Sequence, residues 1–115
     1  MRRGDIYLVD LEPVRGGEAN RARPAVLVTN DAANRVAERM RRGVLTVVPV
    51  TSNVTRVLPF QVLLDGIECG LTRDSKAQCE QLRAVDVSRL LHRLGAVPAK
   101  TLDRIDTALR RQLAL

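Results

Sequence analysis

Three groups of residues in this chain carry side chains that can act on a charged polymer. Glu18 and Arg23 precede an apolar run, Thr51 and Ser52 directly follow another, and Glu80, Gln81 and Arg83 lie in a third segment. A carboxylate, a guanidinium and a hydroxyl together suit phosphodiester chemistry. The carboxylate can take a proton while the other two stabilise charge on the phosphoryl oxygens. Such groups also occur by chance in a short chain, so the reading requires that the fold bring them to one rim. The stretch "RARPAVLVTN", Arg21 to Asn30, carries the most specific hint. Pro24 lacks an N–H and has a fixed φ, and it pushes the preceding residue towards an extended conformation, so Arg23 enters the strand at a set angle. The alternative is that Arg23 is a solvated loop residue and Pro24 merely starts the strand.

The elements that must do the positioning follow from pattern. "DIYLVDL", "PAVLVTN", "VLTVVPV", "PFQVLL" and "KAQCEQLRAV" read as strands. Polar, turn-rich segments separate them: "EPVRGGEANRA", bending at Gly16 and Gly17, and "TSNVTRVL". "DAANRVAERMRRG" predicts a short helix capped by Asp31 and stopped at Gly43, with Val36, Ala37 and Met40 inward. "VSRLLHRLG" reads as a short amphipathic segment with His92 on a helix surface. From Pro98 onward, Leu102, Ile105, Leu109 and Leu113 recur at helical spacing opposite Asp103, Arg104, Arg110 and Arg111. Strands in succession with a late helix point to a mainly β fold with α, a small antiparallel barrel packed by a C-terminal helix.

Composition sets the outer bounds. A chain of 115 residues suits one domain, 1–115, able to bury roughly 65% of its unfolded surface. Asp5 and Asp10 interrupt any signal-peptide core, and "VLTVVPV" is too short to span a bilayer, so a cytoplasmic protein without membrane contact is expected. The net charge is +6, and seventeen of the nineteen basic residues are arginine, whose planar fork pairs with phosphate. An acidic polymer is one natural partner. An arginine-rich surface from a GC-rich genome is the other explanation, and composition alone does not choose. Cys69 and Cys79 read as reduced thiols; with a single histidine, neither a zinc site nor a disulfide framework is supported.

Taken together, the segments resemble the MazF family of toxin endoribonucleases from bacterial type II toxin–antitoxin systems. "GDIYLVDL", "GGE", "RPAVLVTND", "VVPVTSN", "PFQVLL", "DSKAQCEQLRAVD" and "LDRIDTALRRQLAL" fall in the family's order and span nearly the whole chain. The resemblance implies an SH3-like barrel that forms a homodimer. It also implies metal-independent, ribosome-independent cleavage of single-stranded RNA (mRNA) at short sequences, leaving 2′,3′-cyclic phosphate and 5′-hydroxyl ends, with no cofactor. The implied partners are RNA and a MazE-like antitoxin with an acidic flexible tail, with operator DNA engaged only indirectly through that antitoxin.

By the same resemblance Arg23 is the catalytic arginine, Thr51 the hydroxyl that supports it and Glu18 the loop glutamate, while Glu80 and Gln81 lie beside bound RNA. Asn20 and Arg21 in the first loop, and Ser52 and Asn53 in the second, are the expected RNA readers. Arginine at neutral pH is a poor base, so Arg23 is the charge stabiliser and the candidate acid. Glu18 is then the base, or it only orders its loop. Thr51 supports the phosphate, or it caps the "TSN" turn. Tyr7 and Phe60 supply no stacking platform and read as core, so recognition would fall to hydrogen bonds and arginine. Two other classes compete: a same-fold toxin that poisons a protein such as DNA gyrase, and a DNA-binding barrel. The gyrase-directed relatives depend on C-terminal aromatic residues, whereas this chain ends "RRQLAL".

Overall fold

The computed structural model describes residues 1–11 and 22–115. Seven strands, β1 (Asp5–Asp10), β2 (Ala22–Leu27), β3 (Val44–Thr51), β4 (Gln61–Leu64), β5 (Ser75–Gln78), β6 (Arg83–Asp86) and β7 (Leu90–Ala96), run with helices α1 (Asp31–Met40), α2 (Gly66–Cys69) and α3 (Ala99–Leu113). All the strand pairings in these residues are antiparallel. The ladder order is β4-β5-β3-β2-β1-β7, with β6 also on β3.

The run "VLTVVPVT" of β3 is long enough to hold three neighbours. Along one edge it pairs with β2, from Ala25↔Pro49 to Leu27↔Val47. Along the other it pairs first with β6, Val44↔Asp86 to Val47↔Arg83, and then with β5 at Val50↔Ala77 and Thr51↔Lys76. A single turn of 3-10 helix, Cys79–Gln81, carries the chain between these two halves of the edge. The expected fifth strand, "KAQCEQLRAV", is therefore two strands with a turn between them.

Alternation along β3 sends its side chains into two cores. On one face Val48 and Val50 join Val26, Val62 and Ala77 beneath Ile105 and Ala108 of α3. On the other, Leu45 and Val47 join Val9, Ala25 and Leu27 beneath Ala37 of α1. Helix α1 is capped by Asn30, whose side chain accepts from the Ala33 N–H at 2.9 Å, not by Asp31. Asn34 donates to the Thr29 carbonyl at 2.7 Å and is fully buried. That bond rotates the helix so that Asn34 and Ala37 face inward while Val36 and Met40 are exposed. The helix ends at Met40, before Gly43, with Arg41 in the left-handed region. Leu113, expected on the inner face of α3, is half exposed because the helix runs past the sheet. Pro59 and Phe60 form a turn before β4, and "LLHRLGA" is strand β7, paired with β1, so His92 lies exposed on a strand. Tyr7 and Phe60 are both half buried, Tyr7 packing against the margin of the α1-side core.

Among the described residues no ladder joins β4 to β7. The gap is closed by backbone packing, where the end of α2 lies against β7. A Cβ built on Gly95 would stand 2.0 Å from the Cys69 carbonyl oxygen, and one on Gly70 2.6 Å from that of Leu94. Gly70 also has φ +77°, a conformation that other residues adopt only with strain. Gly95→Ala is expected to lower stability by 1–3 kcal/mol on the order of other overpacked sites, read as a lower urea midpoint. A midpoint equal to the parent protein's would mean that the seam parts freely.

Candidate functional site

Beyond its last pair with β3, Ala25↔Pro49, strand β2 runs on towards its N-terminal end through Pro24 and Arg23. Continuing the register by two residues sets Arg23 opposite Thr51, the last residue of β3. The other edge of β2 stays paired with β1, Val9↔Arg23 and Leu8↔Pro24, so the arginine backbone is held on one side and its side chain is exposed. The convergence anticipated for Arg23 and Thr51 is thus a property of strand register.

A cavity of about 550 Å³ opens at this corner, lined by Arg23, Pro24, Thr51 and Ser52 on one side and by residues 70–73, Ser75 and Leu94 on the other. The far wall was not anticipated. Arg73 is exposed there, yet its backbone is clamped from two directions: the Ser75 hydroxyl donates to its carbonyl at 3.0 Å, and Gly66 packs so closely that a Cβ would lie 2.7 Å from its carbonyl carbon. The Asp74 carboxylate accepts from the Gly66 N–H at 2.9 Å and tightens the same turn. Only the Thr-Arg-Asp-Ser succession, a turn rich in hydroxyls around one arginine, could have pointed to it. Among the described residues neither Arg23 nor Arg73 has an ion-pair partner. Two guanidiniums and the hydroxyls of Thr51, Ser52 and Thr72 around one cavity offer donors suited to phosphoryl oxygens, while the Ser75 proton is committed to the Arg73 carbonyl.

The Thr51 hydroxyl accepts from the Asn53 N–H at 3.3 Å, the turn-capping contact that its sequence context suggested. That bond is long and uses only the acceptor side, so the hydroxyl proton is still available to an anion in the cavity. Ser52 and Asn53 are exposed, and Asn53 accepts from the Thr55 N–H at 3.2 Å. Glu80 and Gln81 do not line the cavity. Glu80 turns inward from the 3-10 turn, accepting from Gln61 Nε2 at 2.6 Å, while its other oxygen is buried without a partner among the described residues. Gln81 is exposed on the same turn, and Arg83 begins β6 further along β3. Glu18, Asn20, Arg21 and the bend at Gly16 and Gly17 lie outside the described residues. Of the described residues lining the cavity, none is a carboxylate or an imidazole. Among the described residues no three His, Cys, Asp or Glu side chains group as metal ligands, and no helix is long and apolar enough to cross a membrane.

Residues 2–113 match the family of PemK-like, MazF-like toxins of type II toxin–antitoxin systems. The chain belongs to the MazF family. A curated relative, endoribonuclease MazF9 of Mycobacterium tuberculosis, is 56% identical over 115 residues, covering 100% of this chain and 98% of its own. Endoribonuclease EndoA of Bacillus subtilis is 34% identical over 116 residues, covering 100% and 96%. Among solved structures, a MazE–MazF complex from Deinococcus radiodurans superposes with a TM-score of 0.80 at 26% identity, covering 100% of this chain and 96% of that one. A mycobacterial endoribonuclease in complex with its cognate antitoxin gives 0.77 at 28%, with the same coverage. The antiparallel sheet with its C-terminal helix is the MazF fold.

In this MazF chain both cysteines are buried and free. Burial, reinforced by the neighbouring Glu80 charge, pushes the Cys79 thiol up to about 11, and burial also raises Cys69. Neither presents an appreciable thiolate near neutrality. The native protein at pH 8 is expected to resist iodoacetamide, with both thiols alkylated once it is unfolded in guanidinium; rapid alkylation of the native form would contradict the burial described here.

Proposed function

We propose that this toxin is a sequence-selective endoribonuclease that cuts single-stranded RNA at the corner cavity, using the 2′-hydroxyl of the RNA as the nucleophile. The observation that carries the reading is that Arg23, Thr51 and Arg73 line one cavity. The endoribonuclease names of the relatives identical at 56% and 34% over the full chain support it. The gyrase-poisoning alternative has no comparable support.

In the reaction the 2′-oxygen attacks phosphorus, a bond from the 2′-oxygen to phosphorus forms, and the bond to the 5′-oxygen breaks. The products are a 2′,3′-cyclic phosphate and a 5′-hydroxyl. One proton leaves the 2′-hydroxyl and one reaches the departing 5′-oxygen. Arg23 and Thr51 stabilise the charge that grows on the non-bridging oxygens, a task that suits an always-protonated guanidinium and a free hydroxyl proton. Arg73 holds a neighbouring phosphate and so sets the path of the strand across the cavity. By the family resemblance Glu18 accepts the proton or orders its loop, and Asn20, Arg21, Ser52 and Asn53 read bases. A homodimer would extend this shallow corner into a longer channel, and an antitoxin with an acidic tail would compete with RNA for the same arginines. The cytoplasm is the compartment in which such a toxin meets mRNA.

Purified protein should cut a long mixed-sequence RNA in excess EDTA, with 5′-hydroxyl ends at the new termini; loss of cleavage on chelation, restored by a divalent ion, would reject the internal-nucleophile mechanism. Folded Arg23→Ala should lose a hundredfold or more, on the order seen when one charge-stabilising donor is removed, in single-turnover rate, with affinity weakened only several-fold. Arg73→Ala should do the reverse: a modest rate change, and a salt slope of log K reduced by roughly 0.7 for the lost phosphate contact on a single strand. Equal effects of the two substitutions on rate would remove the distinction between them.

A further inference from the structure

The cavity's second reading loop, residues 52–60, is tied down by three buried or half-buried side chains that the reaction does not use. Lys76 of β5 is the ladder partner of Thr51 on one side and of Leu63 on the other, so it lies in the centre of the three-strand patch next to the site. It is 9% exposed, and its ammonium donates to the Arg56 carbonyl, twenty residues away in sequence. A buried ammonium costs several kcal/mol, as a rough general scale, unless it is well hydrogen-bonded, so the loop carbonyl and the lysine depend on each other. Two residues further along, the Leu58 N–H donates to Gln61 Oε1 at 3.0 Å, and the Gln61 N–H donates to the Leu58 carbonyl at 2.9 Å. Gln61 is itself held by the inward-turned Glu80.

The loop is thus fastened at Arg56 and at Leu58, and at its start by Thr51, where β3 ends. Between these points, Ser52 to Thr55 is shaped by the short-range bonds from Asn53 to Thr51 and from Thr55 to Asn53. Moving the Arg56 anchor moves the span beside Thr51 with it.

We propose that Lys76, together with the Gln61–Glu80 pair, is a positioning device that sets loop 52–60 against Thr51 and thereby determines which RNA sequence is cut. Lys76 acts through the loop and touches neither phosphate nor base. This inference rests on the endoribonuclease reading above, and its test separates the two.

Lys76→Met keeps the length and apolar stem but removes the donor. With folding verified by circular dichroism, its cleavage of a long mixed-sequence RNA is mapped by 5′ ends beside the parent protein's, and amide exchange is measured in both. The expected result is a ratio of preferred-site to secondary-site cleavage that falls about tenfold or more, with KM at the preferred site raised and kcat little changed. Amide exchange over residues 53–58 should quicken while β1 and β2 keep their protection. Gln61→Met frees the Leu58 anchor instead and should shift the site profile and exchange in the same direction, so failure of one variant to fold leaves the other decisive. An unchanged site profile overturns the proposal, and so does a uniform loss of cleavage at every site with the ratio preserved. Absence of cleavage by the parent protein would overturn the endoribonuclease reading; unchanged exchange over 53–58 in a folded variant would overturn the clamp whatever the activity.

Discussion

Strand β3 has to satisfy three neighbours with eight residues, and the rest of the architecture follows from how it does so. One edge belongs to β2 and the other is divided between β6 and β5, so a single backbone carries the hydrogen bonds of both halves of the molecule. Its side chains are committed just as fully, alternating between the α3 core and the α1 core. A slip of one residue would exchange these cores and turn Thr51 to the opposite face. The place of the hydroxyl in the cavity and the integrity of the hydrophobic interior are therefore the same structural fact.

The two arginines that line the cavity, Arg23 and Arg73, have no ion-pair partner among the described residues. Elsewhere carboxylates bind basic groups. Asp106 meets Arg3 at 2.6 Å and joins the start of the chain to α3, while Glu38 meets the terminal amine at 3.0 Å and joins it to α1. Such half-exposed pairs contribute little individually, about 0–1 kcal/mol. Their effect on function is compositional: they occupy acidic groups at a distance from Arg23 and Arg73, whose guanidiniums face the cavity without a described carboxylate to neutralise them.

Much of this was legible in the residues. The apolar runs located β1, β3, β4 and most of β2, and the spacing of Leu102, Ile105 and Leu109 located α3, because periodic burial leaves a periodic signature. That Arg23 and Thr51 line one cavity was legible because each lies by a strand end that the pattern could place. Arg73 was not, since what fixes it is the tight packing of Gly66 against its backbone, a contact formed seven residues away around a turn. The split of the predicted fifth strand was hidden for a similar reason: Cys79 is buried and apolar like a strand residue, and only the sharing of one edge of β3 requires the turn there. The inward face of α1 was misjudged because hydrophobicity favoured Val36 and Met40, whereas a hydrogen bond from Asn34 to Thr29 sets the rotation. His92 reads as a helix-surface residue on a nine-residue amphipathic stretch, too short for its period to separate helix from an exposed strand. Glu80 was assigned to RNA contact from sequence resemblance, which carries no information on the direction in which its carboxylate turns.

The glycine seam between α2 and β7 bears on how such a gene survives in its host. Gly70 and Gly95 in the seam, and Gly66 against the Arg73 backbone, have no side chain to react with anything, yet each lies where another backbone approaches too closely to admit even a methyl group. The seam also forms part of the cavity wall, through Gly70 and Leu94. Single-nucleotide changes at these codons can therefore weaken the protein through its packing, giving a cell deprived of its antidote genetic escapes that leave every polar residue of the site intact. Sequence inspection confined to catalytic positions would count such a disabled copy as functional.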